Sequence, residues 1–140
     1  MTALEIVWDC LDPWIAQEPE KTKEQLAYMM AEMVDLGVAK FYQQGDSIFF
    51  VVRNTPFVAE VHLFSKANNF NLVRNVKNFL TDFWGTTQFI KLHASFTLKK
   101  ECGCAKRCGF KEEGIREKSH VLKTGEIVDV YLYGVRKWEQ

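Results

Sequence analysis

No apolar run in this sequence approaches the roughly 20 residues that span a bilayer, so no transmembrane helix is expected and no membrane partner. Neither sign of charge is in excess, because 18 Lys and Arg balance 18 Asp and Glu. A chain without net charge has no global field to draw it to nucleic acid or to an anionic surface. The basic residues Lys99, Lys100, Lys106, Arg107 and Lys111 are interleaved with acids and form no stripe, which excludes nucleic acid as an expected partner. Proline is sparse, with three residues, and no Pro/Gly-rich linker, low-complexity tract or repeat divides the chain. No basic segment followed by an apolar one stands at the start, so a secretory signal is not expected. Cysteine is limited to four residues, three of them crowded at 102, 104 and 108. That is no secreted disulfide framework, and a reducing, cytoplasmic setting is the expectation. The same cysteines are poorly spaced for zinc, since on a helix 104 and 108 share a face and 102 does not. No metal is expected.

What is present is a large apolar fraction, 47% of 140 residues, enough for the core of a single domain over residues 1–140. The clearest helix runs from Thr22 to Leu36. Thr22 caps it with Gln25 as the box partner, Leu26, Met29, Met30, Met33 and Val34 recur at three and four, and Gly37 ends it. The methionine stripe reads as core. Before this helix the signal is double. Leu4-Glu5-Ile6-Val7-Trp8 fits a strand, whereas Leu4, Val7, Trp8 and Leu11 fit a helical stripe, with Asp12-Pro13 as the start of a new turn.

Three strands follow, Ala39–Gln43, Ser47–Arg53 and Phe57–Phe64, separated by the turn Gln44-Gly45-Asp46 and the break Asn54-Thr55-Pro56. They form an antiparallel meander. In the third, period two places Val58, Glu60, His62 and Phe64 on one face and Ala59, Val61 and Leu63 on the other. Two titratable groups thus share a face at neighbouring same-side positions. A helix is expected over Phe70–Trp84, with Leu72, Val76, Phe79, Leu80 and Phe83 inward, then a break at Gly85-Thr86-Thr87. Gln88–Leu98 reads as a strand with Lys91, His93 and Ser95 on one side. Lys99–Cys108 is a short helix stopped by Gly109. The remainder is a hairpin. Phe110, Ile115, Val121 and Leu122 belong to its first arm, Lys123-Thr124-Gly125-Glu126 is the turn, and Ile127–Tyr133 is a β-branched and aromatic second arm carrying Asp129.

This terminal series resembles the C-terminal part of the GNAT superfamily of N-acetyltransferases. The matching residues are Gly109, Phe110, Glu113, Gly114, Gly125, Asp129, Val130 and Tyr133. The resemblance implies an α/β fold: a mixed, mainly antiparallel sheet flanked by helices, with a V-shaped cleft between the strands 57–64 and 88–98. It implies acetyl-CoA as cofactor and an amine as acceptor. Glu60 would be the base that deprotonates the acceptor, with His62 its neighbour, because an ammonium cannot attack a thioester. The backbone of Glu60–Leu63, with Val61 and Leu63, would hold the pantetheine and polarise the thioester carbonyl. The 70–77 segment, with Arg74, Asn75, Val76 and Lys77, would hold the pyrophosphate near a helix start.

Two departures stand out. The superfamily's phosphate loop carries Gly-x-Gly, but aligning Phe79-Leu80 with the usual paired leucines puts Arg74, Asn75 and Val76 there, and no glycine occurs between Gly45 and Gly85. Arg74, Lys66 and Lys77 would have to act as cationic substitutes. The tyrosine expected to protonate the departing thiolate is replaced by Ala105, beside which Cys104 is the candidate acid. Two functions therefore stand next to each other. One is an acyl-CoA-dependent N-acyltransferase. The other is a catalytically lapsed GNAT-fold protein serving assembly or interaction, such as a bacteriophage virion or head component, with Trp8, Trp14, Trp84 and Trp138 as contact aromatics for protein partners.

Overall fold

The computed structural model describes residues 2–17 and 21–139. Its elements in order are α1 (Ala3–Gln17), α2 (Lys23–Asp35), β1 (Ala39–Gln44), β2 (Ser47–Arg53), β3 (Val58–Ser65), α3 (Asn69–Thr86), β4 (Lys91–Phe96), α4 (Lys99–Arg107), β5 (Lys111–Val121) and β6 (Ile127–Arg136). The six strands make one sheet in the order β1-β2-β3-β4-β6-β5. Every neighbouring pair is antiparallel except β3 and β4, which run parallel. This is the mixed, mainly antiparallel architecture expected.

The double signal at the start resolves to a helix. Ala3, Ile6, Val7, Cys10 and Leu11 all turn to one cluster, at the spacing of a single helical face. The chain continues as helix through Asp12-Pro13 and does not restart there. α2 carries the expected box, with the Gln25 amide donating to Thr22 Oγ1 at 3.2 Å and the Thr22 amide to Gln25 Oε1 at 2.8 Å. α1 and α2 cover one face of the meander through Ile6, Leu11, Leu26, Met30, Ile48, Phe50 and Phe64. α3 and α4 cover the other face. There Phe79 stacks on Phe49 with ring centres 4.1 Å apart, and Phe83, Leu80, Leu92, Tyr133 and Val135 complete the core.

α3 passes through Gly85 to Thr86, two residues beyond the expected end. A glycine in a helix costs about 1 kcal/mol, and the buried pair Phe83 and Trp84 just before it outweighs that. β4 is shorter than expected, Lys91–Phe96. Trp84 is 8% exposed and belongs to the core, so it is no contact aromatic, whereas Trp8 and Trp138 are exposed. The side chain of Trp14 lies outside the described residues. Among the described residues no helix is long and apolar enough to cross a membrane.

Candidate functional site

β3 is paired to β2 from Ala59 to Ser65. On its other edge it pairs with β4 only through Val58–Lys91, Ala59–Leu92 and Glu60–His93. Beyond that rung no further β3–β4 pair forms, although β3 runs on to Ser65 and β4 to Phe96. Each is held from behind, β3 by β2 and β4 by β6, so the twist that separates them opens the sheet. The expected cleft is therefore present. Backbone N–H and C=O groups of the diverging edges face it, as a site for extended ligand requires.

The cleft has two unlike sides. On the α1/α2 side stand Glu60 and His62, with Glu60 Oε2 and His62 Nε2 3.2 Å apart. The hydrogen bond from His62 lowers the Glu60 carboxyl, burial works against it, and the charges of His62 and His93 lower it further. A small cavity of about 150 Å³ lies between this pair and α2, lined by Met29, Met33, Phe50 and Val52 among others. The methionine stripe thus looks partly onto the Glu60 side of the sheet.

Further along the same face is a second cluster. Lys91 Nζ donates to Glu113 Oε2 at 2.6 Å, and His93 Nδ1 lies 3.4 Å from Glu113 Oε1. Burial raises the Glu113 carboxyl, but the Lys91 hydrogen bond and charge outweigh it and hold the group low. The register of β5 slips between Glu112 and Gly114, which turns Glu113 over Gly134. A Cβ at 134 would sit 2.6 Å from Glu113 Oε1. This carboxylate matched the terminal pattern by resemblance, but its meeting with Lys91 and His93 depends on strand order and a bulge, which no local signal carries.

On the α3/α4 side lies a groove of about 660 Å³, lined by Asn69, Phe70, Val73, Arg74, Lys77, Asn78 and Arg107. Asn68 caps α3, accepting from the Asn71 amide at 2.9 Å. The amides of Asn69 and Phe70 precede the first intrahelical bond, from Leu72 N–H to the Asn68 carbonyl at 2.8 Å. Those amides, the helix dipole and three cations make the groove suited to anions. Among the described residues neither Arg74 nor Lys77 forms an ion pair.

The expected phosphate residues divide. Arg74 and Lys77 line the groove, joined by Arg107 from α4, which the sequence reading placed only in a general basic set. Asn75 and Val76 do not reach it. They are 7% and 5% exposed and face the sheet, where Asn75 Nδ2 donates to Ser47 Oγ at 3.0 Å. The reason is helical phase: residues 75, 76, 79, 80 and 83 share the buried side of α3. Residues 74–76 lie one turn inside the helix, and the loop that leads into it from β3 is Lys66–Asn68. Lys66 itself turns to Asp9 on α1. Val61 and Leu63 point to the α3/α4 side, partly buried against its core. Cys104 sits half-buried near the end of α4, beside the buried Ala105. Among the described residues no three His, Cys, Asp or Glu converge as metal ligands.

No family model matches the chain, and no curated protein sequence matches it. Solved structures do. A spermidine N-acetyltransferase from Vibrio cholerae, in complex with CoA and spermine, superposes over 99% of this chain and 94% of its own with a TM-score of 0.74 at 12% identity. A ribosomal-protein-S5-alanine acetyltransferase from Vibrio fischeri does so over 99% and 91%, TM-score 0.70, also at 12% identity. The microcin C7 self-immunity acetyltransferase, in complex with acetyl-CoA and AMP, gives 94% and 83%, TM-score 0.64 and 14% identity. At such identities the likeness is one of fold, and the chain has the GNAT acetyltransferase fold. The assembly reading gains nothing from these three, each an acetyltransferase.

Proposed function

We propose that the protein is an acyl-CoA-dependent N-acyltransferase that moves an acetyl group to an amine. The observation that carries this reading is the parting of β3 and β4 after Glu60–His93, with a cationic groove on one side and a carboxylate–imidazole pair on the other. An elongated anionic cofactor and a proton-bearing acceptor need opposite surroundings, and the opening separates them.

The residues present fit the cofactor by charge. Arg74, Lys77 and Arg107, with the first amides of α3, would hold its phosphates, and the free edges of β3 and β4 its pantetheine. When bound, the cofactor supplies an acyl group activated as a thioester. The glycine-free loop puts side chains where the superfamily's backbone approaches phosphate, so here recognition rests on side-chain cations.

The Glu60–His62 pair takes the proton from the acceptor ammonium. A carboxylate held low is a weak base alone. The imidazole of His62, 3.2 Å away, is the pair's second proton-accepting atom, and a proton can pass between the two. The two act as one acceptor. Cys104 is the candidate proton donor to the departing sulfur, but its thiol is drawn down to about 6, chiefly by a hydrogen bond from Cys108. A group mostly ionised near neutrality donates poorly. With Cys104 unsuited to the task, water would supply the proton that the leaving thiol needs.

Calorimetric titration with acetyl-CoA tests this directly. Saturable binding with a thermal shift supports it, and a flat titration with no shift at millimolar cofactor overturns it. Thiol release on a panel of amines then reads turnover.

A further inference from the structure

Cys104 and Cys108 stand four residues apart on α4, so both thiols lie on one helix face, and their side chains interact. Cα atoms at this spacing are about 6 Å apart, inside the range a disulfide bridges, but helix Cβ atoms four residues apart stand about 5–6 Å apart, so a bridge requires the turn to tighten by about 1–2 Å. Cys108 is the C-cap of α4. Its amide bonds the Cys104 carbonyl at 3.1 Å, and Gly109 leaves the helix at φ +98°. The last turn can therefore tighten without breaking a helix interior. The two differ in access: Cys104 is half-buried, Cys108 only 5% exposed.

We propose that Cys104 and Cys108 are a thiol–disulfide pair, in which Cys104 takes up a small anionic thiol from its disulfide and Cys108 resolves the adduct. This goes beyond the acyltransferase reading and stands without it. The electrostatics agree. Cys108 donates its S–H to Cys104, burial of Cys104 works against this, and Arg107 adds to it. Glu101 and the negative end of α4 oppose a thiolate here, and are outweighed. The thiol of Cys108 is pushed up by that same hydrogen bond and by burial, so the pair shares one proton and Cys104 is the nucleophile. The cations acting on Cys108 are Lys77 and Arg107, both of which line the α3/α4 groove. They favour a reagent whose thiol carries negative charge.

The step balances. The Cys104 thiolate attacks one sulfur of the small disulfide, that S–S bond breaks, and one thiolate leaves. Cys108 then gives up its proton to solvent and attacks the Cys104 sulfur, expelling the second thiol. Two cysteines are oxidised to one disulfide, and the small disulfide is reduced to two thiols. The other cysteines lack this arrangement. Cys102 is buried with its thiol toward the Leu98 carbonyl at 3.9 Å, and Cys10 on α1 donates to the Ser65 carbonyl at 3.6 Å.

The test treats the reduced full chain with glutathione disulfide and follows intact mass and peptide maps. The expected course is one transient adduct, then loss of two hydrogens with a Cys104–Cys108 link. Cys108→Ser should trap the adduct on Cys104, with Cys108→Ala in its place if serine disturbs folding. Cys104→Ser should abolish both species, and Cys102→Ser should change neither. Glutathione disulfide should react at least about fivefold faster than the cationic cystamine at low salt, with the difference shrinking as salt rises. Primary labelling at Cys10 or Cys102, or no adduct at all, would overturn the pair. Equal rates for the two reagents would overturn the anionic class.

Discussion

Glu60 and His93 face each other across the last rung of the parallel ladder between β3 and β4, and past them the strands part. The rung places a carboxylate at the apex of the opening, with His62 one same-face step further along the diverging edge. In the proposed reaction, the apex is where an acceptor nitrogen entering from the α1/α2 side would meet a thioester reaching through from the other.

Glu60→Gln tests this placement. It removes the carboxylate charge that faces His62 at 3.2 Å and leaves the shape nearly unchanged. We expect turnover to fall by about 10²-fold, within the range for general-base loss, with acetyl-CoA affinity changed less than about twofold. His62→Gln should lower turnover by a similar factor, and the double variant should be no worse than either alone. Multiplying losses would show that the two do not act as one unit.

The groove makes a different prediction. Arg74→Ala and Lys77→Ala should each raise the Kd for acetyl-CoA about tenfold, the scale of one charge-assisted hydrogen bond. Lys66→Ala should change it less than about twofold, because that ammonium is already held by Asp9. Titrations at two ionic strengths supply the check. Wild-type affinity should fall with salt, and the fall should be shallower in each groove variant.

Much of this arrangement was legible in the sequence. Period two in Val58–Phe64 placed Glu60 and His62 on one face, and Gly45 with the Asn54-Thr55-Pro56 break marked the turns within the meander. The start of the chain was not legible, since Leu4–Trp8 satisfies both periods and only the partner surface, Ile48, Phe50 and Phe64, decides. The α3 residues are more instructive. Periodicity already put Val76 with Phe79, Leu80 and Phe83 on the inner stripe, while the alignment to a glycine loop put Asn75 and Val76 on phosphate. The two readings conflict, and helical phase won, because moving those side chains outward would rotate four buried residues into water. The Lys91–Glu113–His93 cluster was out of reach, for it depends on β6 lying between β4 and β5.

Stability should depend on acid through the paired carboxylates. Glu60 and Glu113 both lie below their ordinary value of 4.5 in the folded chain. Their contribution is fully present above that value and is lost as pH falls through the lowered folded values. Melting temperature should therefore be flat from about pH 7 to about pH 5 on their account and decline below it. Glu60→Gln and Glu113→Gln should each make the acid decline shallower. An unchanged slope in both would show that neither pairing persists in solution.

Gly134→Ala should act through Glu113. The added methyl meets a flexible carboxylate end, which can swing aside, so the backbone need not move. The cost is the Lys91 pair and the His93 contact, about 1 kcal/mol for a half-exposed ion pair, or a few degrees in Tm. In a Glu113→Ala background the same substitution should cost clearly less, because the clash has gone. Equal cost in both backgrounds would mean that position 134 is strained by something other than this carboxylate.

Asn75 has a role that no ligand contact supplies. Its amide donates to Ser47 Oγ, Ser47 Oγ lies 2.7 Å from Ser65 Oγ, and Ser65 Oγ accepts from the Ala67 amide at 3.1 Å. This chain of bonds ties the second turn of α3, through the start of β2, to the loop that leads into α3. Ser47 is fully buried, so Asn75→Ala removes one of its hydroxyl's two partners and leaves the Ser65 bond, at a cost of about 1 kcal/mol. It also releases the loop Lys66–Asn68 from one of its anchors. Acetyl-CoA affinity should then fall several-fold although Asn75 touches no part of the groove, and amide exchange at Ala67 should quicken. Asn75→Asp, which can accept a hydrogen from Ser47, should restore part of the affinity only if the loop anchor matters. If exchange at Ala67 and cofactor affinity are both unchanged in Asn75→Ala, the loop is held by its backbone alone, and the groove owes nothing to the buried chain.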